Sequence, residues 1–234
     1  MTNRSSAAIL KAIREKDSAY WEQVRKRRAL DLFHRAAKEV PAYKDFLKKH
    51  KVDPNSIKSH EDLKLVPPTS KDNYLRQYKL TDLTWGGHLD HPLVYTSTSG
   101  STGRPVYFHR SFELDWQSSV MHEMHYEFGR KAGGPTLVIV CFGMGVWIGG
   151  LITYQAFRMM KERGHKLSVI TPGINREEIF RALENLSPLY SQTILIGYPP
   201  FVKDVIDEAD DKDIDLKSFK LRILWAAERF TEGF

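Results

Sequence analysis

Short runs of β-branched and aromatic residues alternate along most of the chain with longer segments that have helical periodicity. The runs that predict strands are 92–96, 106–108, 136–141, 167–171, 193–197 and 221–227. Segments between the later runs place apolar residues three or four positions apart, which predicts helices. Strands that alternate with helices form parallel β-α-β units, so the pattern predicts an α/β fold with a largely parallel sheet.

The first third of the chain has a different, helical pattern. Ser5 to Arg35 is rich in Ala, Leu, Arg, Lys and Glu without Pro or Gly, which predicts one long helix. Val40–Tyr43 contains a proline that ends it, and a second helix is predicted from Tyr43 to Lys51. We therefore expect a helical segment over 1–91 and an α/β part over 92–234.

The segment after the second predicted strand, 111–129, has the clearest apolar stripe. Five large apolar residues recur at intervals of four, at Phe112, Trp116, Val120, Met124 and Phe128. This spacing puts them on one face of a helix, and we expect that face to point into the core. His122 and His125 lie three apart on the same helix, but the sequence offers no third ligand, so no metal site is predicted.

An uncharged span from Ala132 to Phe157 is long enough to cross a membrane. Four of its six glycines cluster over 143–150, and Pro135 precedes a β-branched run, so the span predicts a buried strand, a glycine loop and a helix. Cys141 is the only cysteine, which excludes an internal disulfide and fits a reducing cytoplasm. No charged and then apolar leader opens the chain, so we expect a cytoplasmic protein without a membrane segment.

The net charge of +6 is uneven along the chain. Residues 1–51 hold 14 Lys and Arg against six Asp and Glu, an excess of eight positive charges. A basic lobe can bind nucleic acid, but this one lacks regular arginine and aromatic interleaving or a known reader motif. We interpret it as a solvated basic face and expect no nucleic-acid partner.

The loop between the first two predicted strands carries the strongest candidate chemistry. Its residues are Thr98, Ser99, Gly100, Ser101, Thr102, Gly103 and Arg104. The two glycines allow consecutive N–H groups to point into one concavity, and the hydroxyls and the guanidinium add donors for phosphate. A simple turn between two strands is the other interpretation, but the closing Arg-Pro and the aromatic strand favour an anion site. The spacing differs from that of P-loop ATPases.

A second glycine-rich loop, 142–151, combines glycines with large apolar residues. Such a loop lets a flat apolar group approach the backbone, and Trp147 can form a wall beside it; a tight strand-to-helix turn is the alternative. Parallel sheets bind ligands at the carboxyl ends of their strands. We therefore expect 143–150, 197–200 and 226–228 to meet at one edge of the sheet.

Several segments carry a family resemblance. Segment 98–105, Thr-Ser-Gly-Ser-Thr-Gly-Arg-Pro, resembles the phosphate loop of adenylate-forming enzymes, the superfamily of acyl-CoA ligases and luciferases. Segments 41–44, 52–54, 61–63 and 67–72 are similar in order and spacing to the start of phenylacetate–CoA ligases. The glycine loop and segment 226–232, Ala-Ala-Glu-Arg-Phe-Thr-Glu, are also similar to these ligases, although Ala226 and Arg229 replace Gly and Pro.

The resemblance implies ATP-dependent activation of a carboxylic acid, aryl or arylacetic, to an acyl-adenylate and then a coenzyme A thioester. It implies that Thr98–Arg104 bind the ATP phosphates and that Ala226, Ala227 and Glu228 lie beside adenine. It also implies an acyl pocket lined by Phe142, Trp147, Gly149, Gly150, Tyr198 and Pro199. The implied cofactors are ATP, Mg²⁺ and coenzyme A, and the implied partner is a small carboxylic acid.

Family members continue with an acidic magnesium-binding segment, a ribose-binding Asp and a small domain with a catalytic Lys, and none of these is found before Phe234. We therefore expect an N-terminal part of such an enzyme, with no catalytic side chain of its own and little activity alone. The sheet edge at 221–227 is expected to promote self-association. A relative with another acceptor, a cofactor adenylyltransferase and a non-catalytic nucleotide-binding module remain as alternatives.

Overall fold

The structure, a computed structural model, describes residues 6–90, 93–98, 105–129 and 133–226. They divide into two compact units. The described residues of the first unit are 6–90, 93–94 and 105–108, and those of the second are 95–98, 109–129 and 133–226. Each unit is described separately below.

Three helices form most of the first unit: α1 (Ser6–Glu15), α2 (Ser18–Glu39) and α3 (Pro41–Lys49). The prediction of one helix from Ser5 to Arg35 was wrong, because Asp17 interrupts it. The Asp17 carboxylate accepts a hydrogen bond from the Tyr20 backbone N–H at 2.8 Å. This cap satisfies an amide that has no partner inside the helix, and it starts α2 without any proline or glycine.

The core of the first unit lies between α2 and α3. Phe33 and Ala37 of α2 pack with Phe46 and Leu47 of α3 and with Ile57. Single turns follow at Pro54–Ser56, Glu61–Leu65, Lys71–Leu75 and Trp85–Gly87. These turns return the chain to the α2–α3 pair and close the apolar cluster with tyrosines.

Six strands are described. Strands β1 (Val94–Ser97) and β2 (Tyr107–Arg110) form a two-stranded sheet. The others are β3 (Thr136–Cys141), β4 (Leu167–Ile170), β5 (Gln192–Gly197) and β6 (Arg222–Trp225), and they form a parallel sheet in the order β4-β3-β5-β6. The predicted α/β fold with a parallel sheet is confirmed.

The helices of the second unit are α4 (Phe112–Gly129), α5 (Ile148–Glu162), α6 (Arg176–Asn185) and α7 (Pro199–Asp211). Side chains of β3 alternate between the two faces of the sheet, as the pleat requires. Ile139 and its neighbours at even spacing pack with α6 and α7. Val138 and Val140 pack with Phe157 of α5 and Tyr126 of α4. Both faces of the sheet are therefore covered, which explains the continuous apolar runs in the sequence.

The buried face of α4 differs from the predicted one. Its buried residues are Asp115, Ser119, Val120, Glu123 and Tyr126. Two members of the predicted apolar stripe, Phe112 and Phe128, are 71% and 58% exposed, and only Val120 of that stripe is buried. The expectation that this stripe faces the core was therefore wrong.

Charged groups that bind Asp115 and Glu123 of α4 explain this orientation. Arg163, which follows α5, donates to Glu123 Oε2 from Nε at 3.0 Å and from Nη2 at 2.6 Å. His165 Nε2 lies 2.6 Å from the other oxygen of Glu123. Arg110 Nε lies 3.0 Å from Asp115 Oδ1, as an ion pair without the alignment of a hydrogen bond. These partners allow the carboxylates of Asp115 and Glu123 to lie on the buried face of α4, where only apolar side chains were expected.

No helix in the described ranges is sufficiently long and apolar to span a lipid bilayer. The uncharged span 132–157 instead contains β3, the glycine loop and part of α5. The strand, loop and helix that the sequence predicted here are therefore observed where the span is described.

Candidate functional site

Three strands of the parallel sheet end in register. Cys141 of β3 lies opposite Gly197 of β5, which lies opposite Trp225 of β6. The chain therefore leaves all three strands at one edge, and the Ala226 N–H donates to Gly197 O at 3.4 Å. The predicted meeting of these segments is confirmed as far as Ala226; Ala227 and Glu228 lie outside the described residues.

The glycine loop packs tightly against the start of α5. A Cβ on Gly143 would lie 2.9 Å from Trp147 Cδ1, so the indole lies directly on this glycine. A Cβ on Gly150 would lie 2.5 Å from Gly143 O. Gly149 is less constrained, because its Cβ would make only ordinary contact with Phe142. Gly149 and Gly150 belong to the first turn of α5, and their predicted role in an acyl pocket stays a prediction.

Aromatic side chains stand exposed at this edge. Trp147 is 41% exposed and Tyr198 is 37% exposed, while Phe142 is partly buried. Trp225, the last residue of β6, is 49% exposed and was not among the predicted site residues. An aromatic residue at the carboxyl end of a predicted strand was the signal that could have identified it. Pro199, which was predicted beside Tyr198, is buried at the start of α7.

The start of α5 presents backbone donors at the same edge. The first intrahelical hydrogen bond runs from Leu151 N to Trp147 O at 3.3 Å, so the amides of Gly149 and Gly150 precede it, whereas the amide of Ile148 belongs to the bridge between Ser97 and Trp147. The Trp147 side chain does not cap them. Uncapped amides and the positive end of the helix dipole favour an anion. Helix α7 offers fewer donors, because it begins with two prolines.

Strand β1 reaches the glycine loop. The Ser97 N–H donates to Val146 O at 2.9 Å, and Ser97 forms a parallel bridge with Trp147. Thr98, the first residue of the predicted phosphate loop, follows Ser97 and is partly buried. Ser99, Gly100, Ser101, Thr102, Gly103 and Arg104 lie outside the described residues, so their contact with phosphate stays a prediction.

A large open cleft of about 1280 Å³ lies elsewhere in the second unit, at the amino ends of β5 and β6. It borders Gln192 and Arg222, the first residues of these strands, and it is lined by five aspartates, with Lys217 and Lys220 beside them. Parallel sheets bind ligands at the opposite ends of their strands. Its acidic lining also disfavours phosphate or carboxylate ligands, so we place the candidate site at the carboxyl edge.

Neither a nucleophilic thiol nor a metal centre is found near the carboxyl edge in the described part of the chain. Cys141 is buried, and burial raises the pKa of its thiol far above the ordinary value, so it stays protonated. No group of three or more His, Cys, Asp or Glu in the described ranges is arranged to bind a metal. The described segments at this edge contain no carboxylate, so they do not fit Mg²⁺.

Several solved structures of a CoA ligase have a fold similar to that of this chain. Crystal structures of 2-hydroxyisobutyryl-CoA ligase are similar to this chain in two states with 2-HIB-AMP and CoA. The thioesterification state has a TM-score of 0.68 at 18% identity, covering 90% of this chain and 44% of the ligase. The open conformation has a TM-score of 0.65 at 20% identity, covering 86% of this chain and 46% of the ligase.

The post-adenylation state of the same ligase, with 2-HIB-AMP, has a TM-score of 0.62 at 20% identity, covering 85% of this chain and 41% of the ligase. The chain thus spans less than half the length of these ligases. At such identity the likeness shows the fold alone, and it covers part of the ligase fold. No protein-family model matches the chain, and no curated protein is significantly similar in sequence.

Proposed function

We propose that this chain is the acid- and nucleotide-binding part of an enzyme that activates a carboxylic acid with ATP and transfers the acyl group to coenzyme A. One observation carries the proposal: exposed aromatic side chains stand beside the uncapped amides of α5 at the carboxyl edge of a parallel sheet. The apolar surface suits the acid, and the amides suit its charged group or a phosphate. The similarity in fold to 2-hydroxyisobutyryl-CoA ligase supports the same function.

The reaction has two steps. A carboxylate oxygen bonds to the α-phosphorus of ATP, and the bond from that phosphorus to pyrophosphate breaks. The thiol of coenzyme A then attacks the acyl carbon, loses its proton to solvent or a base, and displaces AMP. Both steps depend on positioning and on stabilising negative charge rather than on a nucleophilic side chain.

In this proposal each segment of the edge has its own role. The loop from Thr98 to Arg104 binds the ATP phosphates, the amides of Gly149 and Gly150 face the reacting anion, and the segment from Ala226 to Glu228 lies beside adenine. Ser97 supports the first role, because its bond to Val146 brings Thr98 next to the glycine loop. Mg²⁺ is part of no step here, because the described edge contains no ligands for it.

We propose an aryl or arylacetic acid as the substrate. The exposed groups at the edge are the rings of Trp147 and Tyr198, with the ring of Phe142 partly buried, and none carries a charge. A flat ring gains more from such a surface than a small polar acid does, through apolar burial and ring stacking.

Binding of a non-reactive acyl-adenylate analogue by the 234-residue chain tests the proposal most directly. We expect calorimetry to show binding of an arylacetyl-adenosine analogue that is stronger than binding of adenosine alone. ATP–pyrophosphate exchange, with aryl and aliphatic acids, then tests the chemistry, and we expect weak or no exchange. A folded chain that binds neither the analogue nor ATP would refute the proposal, whereas binding without exchange separates the ligand site from the complete reaction.

Two variants locate the site. Trp147→Ala should weaken binding of the aryl analogue about tenfold or more, because stacking and apolar burial are lost. Trp21→Ala removes an equal ring from the first unit and is the matched control. Arg104→Ala should weaken ATP binding without changing the preference among acids; unchanged ATP affinity would remove Arg104 from the site.

A further inference from the structure

The outward face of α4 has an unusual composition. Six residues of α4 are exposed over 112–128: Phe112, Leu114, Gln117, Met121, His125 and Phe128. None of them is Asp, Glu, Lys or Arg, and four are large and apolar. All four acids of this helix are buried or partly buried. The usual arrangement of a surface helix, with charges outward, is therefore reversed.

Three of the exposed apolar residues form a single line along the helix. Leu114, Met121 and Phe128 are seven positions apart, which is two helical turns each time, and Gln117 and Met124 lie between them. Leu114 is 42% exposed and Met121 is 52% exposed. A row of exposed apolar residues on a protein surface marks an interaction site more often than scattered apolar residues do.

We propose that α4 packs against α4 of a second copy of this chain, antiparallel and about a two-fold axis at Met121. Leu114 and Phe128 are equally far from Met121 along the helix. In this arrangement Leu114 contacts the partner's Phe128, and Met121 contacts the partner's Met121. An isologous interface needs such a self-complementary surface, and the spacing of the row provides it.

The absence of exposed charge permits pairing with a second copy and disfavours a strongly charged partner. Two identical charged faces would repel each other, but this face has no exposed formal charge between Phe112 and Phe128. A nucleic acid or a strongly charged peptide would find no counter-charge on it. The charged groups of α4 are instead occupied inside the unit, where Glu123 accepts hydrogen bonds from Arg163.

The size of the face predicts weak association. An 18-residue helix is about 27 Å long, and stable interfaces bury about 800 Å² on each partner. One helix face offers less than that, although each phenylalanine can bury about 150–250 Å². We therefore expect a dimer that forms with rising concentration and dissociates on dilution. This inference is independent of the proposed function.

Sedimentation velocity over two decades of protein concentration tests the dimer. The unmodified chain should shift from monomer to dimer, and Met121→Glu should remain monomeric, because two carboxylates would meet at the axis. Leu65→Glu is the matched control, since Leu65 is an exposed leucine of the first unit and its replacement should leave the dimer intact. A chain that stays monomeric, or a dimer that Met121→Glu does not weaken, would overturn the inference.

Cross-linking tests the register. Met121→Cys places two introduced thiols at the axis, and mild oxidation should join the two copies by a disulfide. Gln117→Cys places its thiol opposite the partner's His125, so it should not cross-link efficiently. The native Cys141 is buried and does not interfere. Equal cross-linking of both variants, or of neither, would overturn the antiparallel register.

Discussion

Helices α7 and α4 belong to the same unit, yet they bury opposite kinds of residue. Helix α7 buries Val202 and Val205 completely and exposes acids, as its pattern predicts. Helix α4 buries Asp115 and Glu123 and exposes Met121. The difference comes from what each helix meets: α7 lies on the apolar face of the sheet, whereas α4 packs on α5 and binds Arg163 through Glu123. Periodicity thus identifies which residues share a face, but the partner decides which face is buried.

The electrostatics of Glu123 explain how α4 stays stable with a carboxylate on its buried face. Burial by itself would raise the pKa of this carboxyl group, but hydrogen bonds from His165 and Arg163 outweigh burial and lower it. The carboxylate is therefore held in its charged form. The contact between α4 and Arg163 depends on both charges, because Glu123 would keep only His165 without Arg163, and Arg163 would keep only Ser119 without Glu123.

The largest effect should follow from removing one partner of this pair. We expect Glu123→Ala to reduce the free energy of unfolding by about 3 to 5 kcal/mol, because Arg163 is left partly buried without a counter-charge. Urea denaturation measures this change. Glu123→Met together with Arg163→Met should recover much of the loss, since the pair is replaced by apolar groups. A double variant no more stable than Glu123→Ala would contradict this account.

A smaller effect is expected on α7. Val205 is fully buried, so Val205→Ala should cost about 2 kcal/mol through two lost methyl groups and the cavity that they leave. Asp210→Ala changes an exposed residue of the same helix and should alter stability by less than about 0.5 kcal/mol. A cost at Val205 as small as that at Asp210 would show that α7 is not held by apolar packing.

The third prediction concerns the pH dependence of stability, which we attribute to a histidine of α4. Burial between α4 and α5 lowers the pKa of His122 below 6.5, partly opposed by the hydrogen bond from Nδ1 to Ser118 O at 2.9 Å. The unfolded chain then binds more protons than the folded one between the lowered pKa and 6.5. Stability should therefore fall as pH decreases through this window, by at most about 1.4 kcal/mol for each unit of pKa difference.

His122→Gln tests this assignment, because glutamine cannot titrate but keeps a donor and an acceptor near Ser118 and Thr153. Its unfolding free energy should depend less on pH below 6.5 than that of the unmodified chain. Identical pH profiles for the two proteins would exclude His122 as the source of the dependence. NMR titration of the ring would measure the pKa directly.

Much of the fold of the second unit was predictable, because its strands are buried on both faces and read as apolar runs. Strands β3, β4 and β5 were predicted within one residue at each end. The boundary at Asp17 was missed because a carboxylate cap starts a helix without a breaking residue. The buried face of α4 was missed because Arg163 lies far away in the chain.

The candidate site was predictable in part for a geometric reason. Once the strands were known to be parallel, the segments after Cys141 and Gly197 had to emerge at the same edge, and they do. Trp225 was missed because strand residues were interpreted as core. The donors at the start of α5 are backbone groups, and no side chain in the sequence marks them. The loop from Ser99 to Arg104 stays a prediction.

The smallest effect provides the sharpest test of the comparison between α4 and α7. If α4 buries its acids and exposes Met121, Met121→Gln should change the free energy of unfolding of the dilute monomer by less than about 0.5 kcal/mol, because Met121 faces water. If this face of α4 were instead buried inside the monomer, a polar replacement of Met121 would cost about 2 kcal/mol or more. Denaturation at two concentrations separates folding from pairing, since only the loss of pairing depends on concentration. A large loss at the lower concentration would mean that Met121 packs inside the monomer, and both the inverted helix and the proposed pairing would be wrong.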